Sequence, residues 1–140
     1  EIERYPEIAA YIREKGMRPG LSTHTPHTIR VVDNANYDCD VYIQPYNSIG
    51  FLCCVETDWV GKVIRNAKKP VLCIKPLGAG RIMPPTGLPF VFNSIASKDV
   101  VCIGMMSPEE VEENVTIVEQ TLAGQAASVE LQYTRSKAAL

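Results

Sequence analysis

Lys75 closes a short apolar run and leads into Gly78, Ala79, Gly80 and Arg81. In parallel α/β folds, ligands sit at the C-terminal ends of strands. An ammonium, a guanidinium fork and backbone N–H groups gathered there suit an anion such as a phosphate or carboxylate. Lys75 has a second chemistry open to it, because a lysine desolvated at a barrel strand end can act as a Schiff-base nucleophile. Plainer roles stand beside these: a structural ion pair for Lys75, and a tight connection that needs glycine φ values for the loop. His24 leaves another apparent strand beside Ser22 and Thr23, where it can serve as a general acid or base, or simply cap a helix. Lys75 and His24 are therefore the catalytic candidates.

Other reactive groups carry less. Glu109, Glu110, Glu112 and Glu113 crowd one helical turn, which suits a helix dipole better than a metal. The vicinal pair Cys53 and Cys54 needs a low-pKa setting to be redox-active, and the sequence offers none. Five cysteines with no CxxC pair indicate neither a zinc site nor a disulfide frame, so the reading is a reducing cytoplasm.

Composition narrows the partners. With 140 residues, 46% of them hydrophobic and 21% charged, the chain is one globular unit large enough for a core. A net charge of -2 argues against nucleic acid, which calls for a concentrated basic face. No apolar run reaches membrane-spanning length and no signal-peptide pattern opens the chain. It starts on Glu1 with no initiator methionine, which predicts a fragment or a processed product.

The elements that must position these residues alternate. Residues 5–15 read as a helix stopped by Gly16, and residues 18–24 as a strand. Thr25 as cap and Pro26 as first residue open a helix to about residue 34. Residues 40–44 form the second strand, and residues 48–56 are ambiguous between helix and loop. Thr57 or Asp58 caps a helix that ends at Lys68 and Lys69, cations suited to a helix C-terminus. Residues 71–75, bounded by prolines, read as a strand buried on both faces. A helix over residues 89–95 and a strand over residues 99–104 follow. Ser107, Pro108 and Glu110 then make a capping box for a helix whose apolar stripe is Val111, Val115, Val118 and Leu122. Gly124 ends it, and residues 126–140 form a tail of weak pattern. Strands alternating with helices mean a parallel sheet, either half of an eight-stranded TIM barrel or a small doubly wound sheet.

Four segments come in order: residues 20–24 (Gly-Leu-Ser-Thr-His), 42–47 (Tyr-Ile-Gln-Pro-Tyr-Asn), 69–80 (ending Lys-Pro-Leu-Gly-Ala-Gly) and 101–114 (starting Val-Cys-Ile-Gly-Met-Met). Together they resemble the second half, strands five to eight, of the aldo-keto reductase barrel, over residues 17–122. The resemblance implies a (β/α)8 barrel half carrying much of a nicotinamide-cofactor site, NAD or NADP. It puts Ser22 and Gln44 at the carboxamide, Leu77 and Gly78 near the pyrophosphate, with Gly80 and Arg81 on the same loop, and Asn114 near the adenine. The family's catalytic Asp, Tyr, Lys and His belong to its first half. Ile74 falls where the family stacks an aromatic ring, and Glu110 where an arginine holds the NADP 2′-phosphate.

A half-barrel leaves two strand edges and an apolar inner face uncovered, so the expectation is a homo-oligomer or association with a missing N-terminal half. The functional alternatives are an oxidoreductase half, a Schiff-base lyase using Lys75, and a non-catalytic module or structural fragment that binds an anion or small molecule.

Overall fold

The prolines and glycines that punctuate the sequence divide the chain into βα units. A computed structural model describes residues 2–127. After a 3₁₀ turn come α1 (Tyr5–Glu14), β1 (Gly20–Ser22), α2 (His27–Ala35), β2 (Val41–Pro45), α3 (Thr57–Asn66), β3 (Val71–Ile74), α4 (Pro84–Phe92), β4 (Val100–Cys102) and α5 (Pro108–Leu122). Residues 128–140, most of the sequence-predicted tail, lie outside the described residues.

The sheet is parallel throughout, in the order β1-β2-β3-β4. Parallel crossovers are right-handed, so an order without reversal stacks successive helices on one face. Packing agrees: Ile29 and Val32 of α2, Val60, Val63 and Ile64 of α3, and Val91 of α4 share one core with Tyr42, Val71 and Cys73. Among the described strands there is no topological switch point, and the doubly wound alternative is thereby corrected to a singly wound sheet.

The strand at residues 71–75 is not buried on both faces. Burial alternates along β3, with Val71 and Cys73 buried and Leu72 and Ile74 half-buried. Register extends that alternation across the sheet. Leu21, Tyr42, Val71 and their neighbours face the helices, whereas Ser22, Ile43, Leu72, Ile74 and Val100 share the opposite face. Among the described residues no helix lies over that face, and Val100 is 53% exposed.

Local chemistry explains most boundaries. Gly16, at φ 71, ends α1, and Gly124, at φ 70, follows α5. The Ser107 hydroxyl accepts from Glu110 N at 3.3 Å, and the Glu110 carboxylate accepts from Met106 N at 2.7 Å, so the capping box forms one residue wider than its usual pattern. Helix α4 starts earlier than its predicted residue 89, because Pro84 and Pro85 occupy a first turn that needs no N–H donors. Helix α3 starts at Thr57 itself, after Glu56, and the Thr57 hydroxyl instead donates to Asn47 O. Lys68 lies beyond α3, where its ammonium donates to Asp33 O and Asn36 Oδ1.

Helix α5 turns a different face inward than its sequence predicts. It buries Asn114, Ile117 and Thr121, while Val111, Val115 and Leu122 are 41%, 49% and 69% exposed. At 100° per residue, the predicted stripe lies about a quarter turn round the helix from the buried one.

Helix α1 is centred on the turn that leads into β2. Tyr5 and Arg13 stand about 12 Å apart along the axis, yet both reach Asp38. The Tyr5 hydroxyl donates to the Asp38 carbonyl at 3.2 Å. The Arg13 guanidinium grips Asp38 at 2.7 and 2.9 Å and Asp40 at 2.6 and 2.8 Å. Hydrogen bonds from Arg13 hold both carboxyls below the usual carboxylate range. A depressed folded-state pKa contributes stability above the ordinary carboxylate range, and the contribution disappears as pH falls through the depressed value. Arg13→Met is therefore expected to flatten the acid limb of stability against pH. Urea midpoints of the two proteins should differ most above the ordinary carboxylate range and draw together as the pH falls through the depressed values. A gap that does not change with pH would contradict the fork.

Candidate functional site

Because all four strands run the same way, their C-terminal ends share one rim. Ser22, Pro45, Ile74 and Cys102 finish the strands there, and His24 and Lys75 follow just beyond. The rim gathers the sequence candidates in two groups.

The first group lies at β1 and β2. Gln44 is fully buried, and its register with Cys73 puts it on the helix-facing side. Its amide N–H₂ donates to His24 O at 3.4 Å and to Pro45 O at 3.2 Å, which ties the two strand exits together. Gln44 Oε1 has no hydrogen-bond partner, a cost of about 1–3 kcal/mol for a buried acceptor. Full burial keeps Gln44 from touching a ligand directly, so its visible role is to position the exit of β1. Ser22 and His24 are both exposed, Ser22 on the open face.

The second group is the β3–α4 connection. Lys75 is exposed, so the burial that would make its amine a Schiff-base nucleophile is missing. Its φ is 60, and Gly78, Ala79 and Gly80 follow at 56, 55 and 81. A left-handed backbone costs a non-glycine residue on the order of 1 kcal/mol, and Lys75 and Ala79 both carry that cost. The turn closes on itself: Gly78 N donates to Lys75 O at 2.9 Å, and Arg81 N and Ile82 N donate to Leu77 O at 3.1 Å. The N–H groups of Gly78 and Arg81 are thus spent within the loop, and its glycines serve the turn. Anion attraction falls to the side chains. Arg81 donates to Gly78 O at 3.1 Å and lies 4.0 Å from the Phe51 ring centroid, a cation–π contact that orients the guanidinium. From residue 75 to 83 the loop has two cations and no acid.

Two residues that sequence reasoning missed organise this rim. Asn47 is fully buried and clamps the β2–α3 loop, donating to Phe51 O at 2.9 Å and accepting from Phe51 N at 2.7 Å. Phe51 in turn seats Arg81. An asparagine shortly after a strand is an ordinary loop residue, and no spacing pattern singles it out.

Other candidates lie away from the rim or inside the packing. Leu77 packs beside Gly87, where any Cβ would come within 2.8 Å of Leu77 Cδ2. Asn114 is buried on α5 with Oδ1 unpartnered. Burial pushes the Cys73 thiol up to about 12 and raises Cys53, the opposite of the lowered value that an activated thiolate needs. Among the described residues no group of three or more His, Cys, Asp or Glu could hold a metal, and no helix is long and apolar enough to cross a membrane.

Of the positions that the resemblance assigns to a nicotinamide cofactor, Gln44 is fully buried, and at Glu110, its counterpart to the arginine, the carboxylate accepts from Met106 N. Two grooves exist elsewhere. One, of about 410 Å³, lies between α2 and α3, and the other, of about 540 Å³, lies along α4 and the end of α5. Compared with protein-family models, with curated proteins and with solved structures, the chain matches none.

Proposed function

We propose that the chain is one half of a (β/α)8 barrel of the aldo-keto reductase type, and that its rim binds the anionic group of a small molecule, a phosphate or a carboxylate. Complementary strands, from a missing half or a second copy, supply the other wall of the site. The observation that carries this reading is the acid-free β3–α4 loop, with exposed Lys75 and Arg81 at the C-terminal end of a central parallel strand. Arg81 supports it further, since Phe51 and Gly78 O hold its guanidinium and reduce the ordering cost of binding. This half binds rather than reacts. Any oxidoreductase chemistry belongs to side chains that the complementary strands would bring.

Calorimetric titration with inorganic pyrophosphate tests the proposal. Lys75→Ala and Arg81→Ala are each expected to weaken binding about tenfold at low salt, one charge contact at a partly exposed site being worth about 1–1.5 kcal/mol. Unchanged affinity in both variants would remove the anion site. A second reading rests on Lys75 alone. A non-glycine residue held at φ 60 on a strand end is the kind of outlier found at functional sites, and on this reading the complementary strands supply the burial that the exposed Lys75 amine lacks in the chain alone. Borohydride reduction in the presence of an aldehyde should then label Lys75 selectively, and labelling spread evenly over the exposed lysines would end that reading.

A further inference from the structure

We infer that the anion taken at the rim carries an apolar body, as an alkyl or aryl phosphate or carboxylate does. The β2–α3 loop holds that body while Lys75 and Arg81 hold the charge. The inference rests on the anion-site reading above and names the ligand class of the same site.

The β2–α3 loop is the apolar side of the rim. From residue 46 to 55 it has no charged residue. It presents Ile49, 56% exposed, and Leu52, 42% exposed, with Phe51 half-buried between them. Single exposed apolar side chains are ordinary on a protein surface. These two differ from the ordinary case in their backbone and in their neighbours.

Leu52 stands at φ 58, a left-handed conformation that a bulky side chain seldom adopts. Such a conformation persists only where the surroundings over-determine it, and here they do. Asn47 clamps Phe51 on both sides of its backbone. Cys53 N donates to Gly50 O at 3.0 Å, and Cys54 N donates to His24 O at 3.3 Å. The Thr57 hydroxyl donates to Asn47 O at 3.2 Å. The loop is thereby tied to itself, to the exit of β1 and to the start of α3. Its apolar side chains are presented on a fixed backbone, so little ordering is left for binding to cost.

The same side chains meet the cationic loop. A Cβ added at Gly78 would stand 3.3 Å from Ile49 Cδ1, and the Phe51 ring carries the Arg81 guanidinium at 4.0 Å. Arg81 spends an Nη1 donor on Gly78 O, and its fork of five N–H groups has others to offer. An apolar patch and an oriented cation therefore adjoin. A bare inorganic anion leaves Ile49 and Leu52 in water, and an uncharged apolar molecule leaves Arg81 without a counter-charge. A molecule charged at one end and apolar at the other satisfies both.

An anionic lipid surface has the same chemistry spread over a plane, and the rim is poorly charged for one. Helices α3 and α5 both start on the rim, with Glu56, Asp58, Glu109 and Glu110 in their caps or first turns. A flat negative surface would meet these carboxylates, whereas a single small anion meets only the acid-free loop. The occupant is thus a free molecule.

Titration calorimetry of the full chain with ethyl, butyl, hexyl and octyl phosphate, each below its micelle concentration, tests the inference. Affinity is expected to rise about threefold for each added methylene, a little under the roughly fourfold of full burial. Leu52→Asn, whose side chain tolerates the left-handed backbone, and Ile49→Thr are each expected to flatten the rise below about twofold per methylene. Leu52→Met should keep it. A merely structural role for the two residues would weaken every homologue by one factor and leave the rise unchanged, and that result overturns the inference. So does equal affinity across the series; if pyrophosphate still binds, the anion site stands without its apolar side. A rise with chain length that ignores Lys75→Ala and Arg81→Ala overturns the anion site, and this inference with it. Binding to phosphatidylglycerol vesicles as tight per exposed lipid as to octyl phosphate overturns the choice of a free ligand.

Discussion

Gly61→Ala is expected to destabilise the protein by about 2 kcal/mol, and adding Tyr46→Phe should abolish the loss. Gly61 lies in α3 against Tyr46, and a Cβ there would stand 2.5 Å from the Tyr46 hydroxyl oxygen and 3.2 Å from its Cζ. Tyr46 cannot move aside cheaply. It is 2% exposed, its ring packs on Phe90 with centroids 5.4 Å apart, and its backbone N–H is bonded to Ile74 O at 2.9 Å. Without the hydroxyl the remaining contacts are the softer 3.2 Å one to Cζ and one of 3.3 Å to Nη1 of the flexible Arg65 side chain. Alanine's helix propensity, better than glycine's by about 1 kcal/mol, then makes the exchange neutral or favourable. Urea unfolding of the four proteins gives the coupling directly, expected at about 2–3 kcal/mol. Simple additivity would mean that the hydroxyl is not what meets the new methyl group.

The second large effect is at Tyr42. Its ring is 1% exposed in the middle of the core, and its hydroxyl donates to Asp33 Oδ1 at 2.7 Å. Burial, then the bond to Asp33, raises the phenol above its ordinary range, so the group is neutral and a donor at any working pH. Tyr42→Ala removes a fully packed ring and should cost about 4 kcal/mol. Tyr42→Phe keeps the ring and loses only the bond to a carboxylate that still accepts from Lys68 N at 2.9 Å, for about 1–2 kcal/mol. A protein of this size carries about 5–15 kcal/mol in all, so the alanine variant should lie near the edge of folding. Equal losses in the two variants would mean that the hydroxyl, not the ring, does the stabilising.

The alternation of strands and helices, and with it the parallel sheet, was legible because each unit has its own punctuation: Gly16 after α1, the prolines around β3, and the Ser107 cap before α5. Which face each element turns inward was less so. The stripe on α5 has helical spacing and apolar character, yet α4 docks on Asn114, Ile117 and Thr121, and period alone cannot say which of two faces a neighbour takes. The run from Val71 looked buried on both sides because its residues are apolar. They are apolar on the open side as well, and the sequence does not reveal that this side is only half-buried among the described residues. The rim was half legible. Lys75 and Arg81 announce themselves by charge and position. The burial of Gln44 depends on strand parity, and the seat of Arg81 on Phe51 depends on a loop shaped by Asn47, neither of which a local pattern encodes.

The unreversed strand order also bears on how the chain finds its fold. Each strand pairs with the next one in sequence, between about 20 and 30 residues on, so the three loops closed by pairing differ in entropic cost by only about 0.3 kcal/mol. Connectivity therefore favours no pair over another. The core does: Tyr42 and Gln44 of β2 and Val71 and Cys73 of β3 are all buried, whereas β1 and β4 have half-buried residues on the same face. The β2–β3 pair under α3 is thus the natural nucleus, and the outer units add to it from either side.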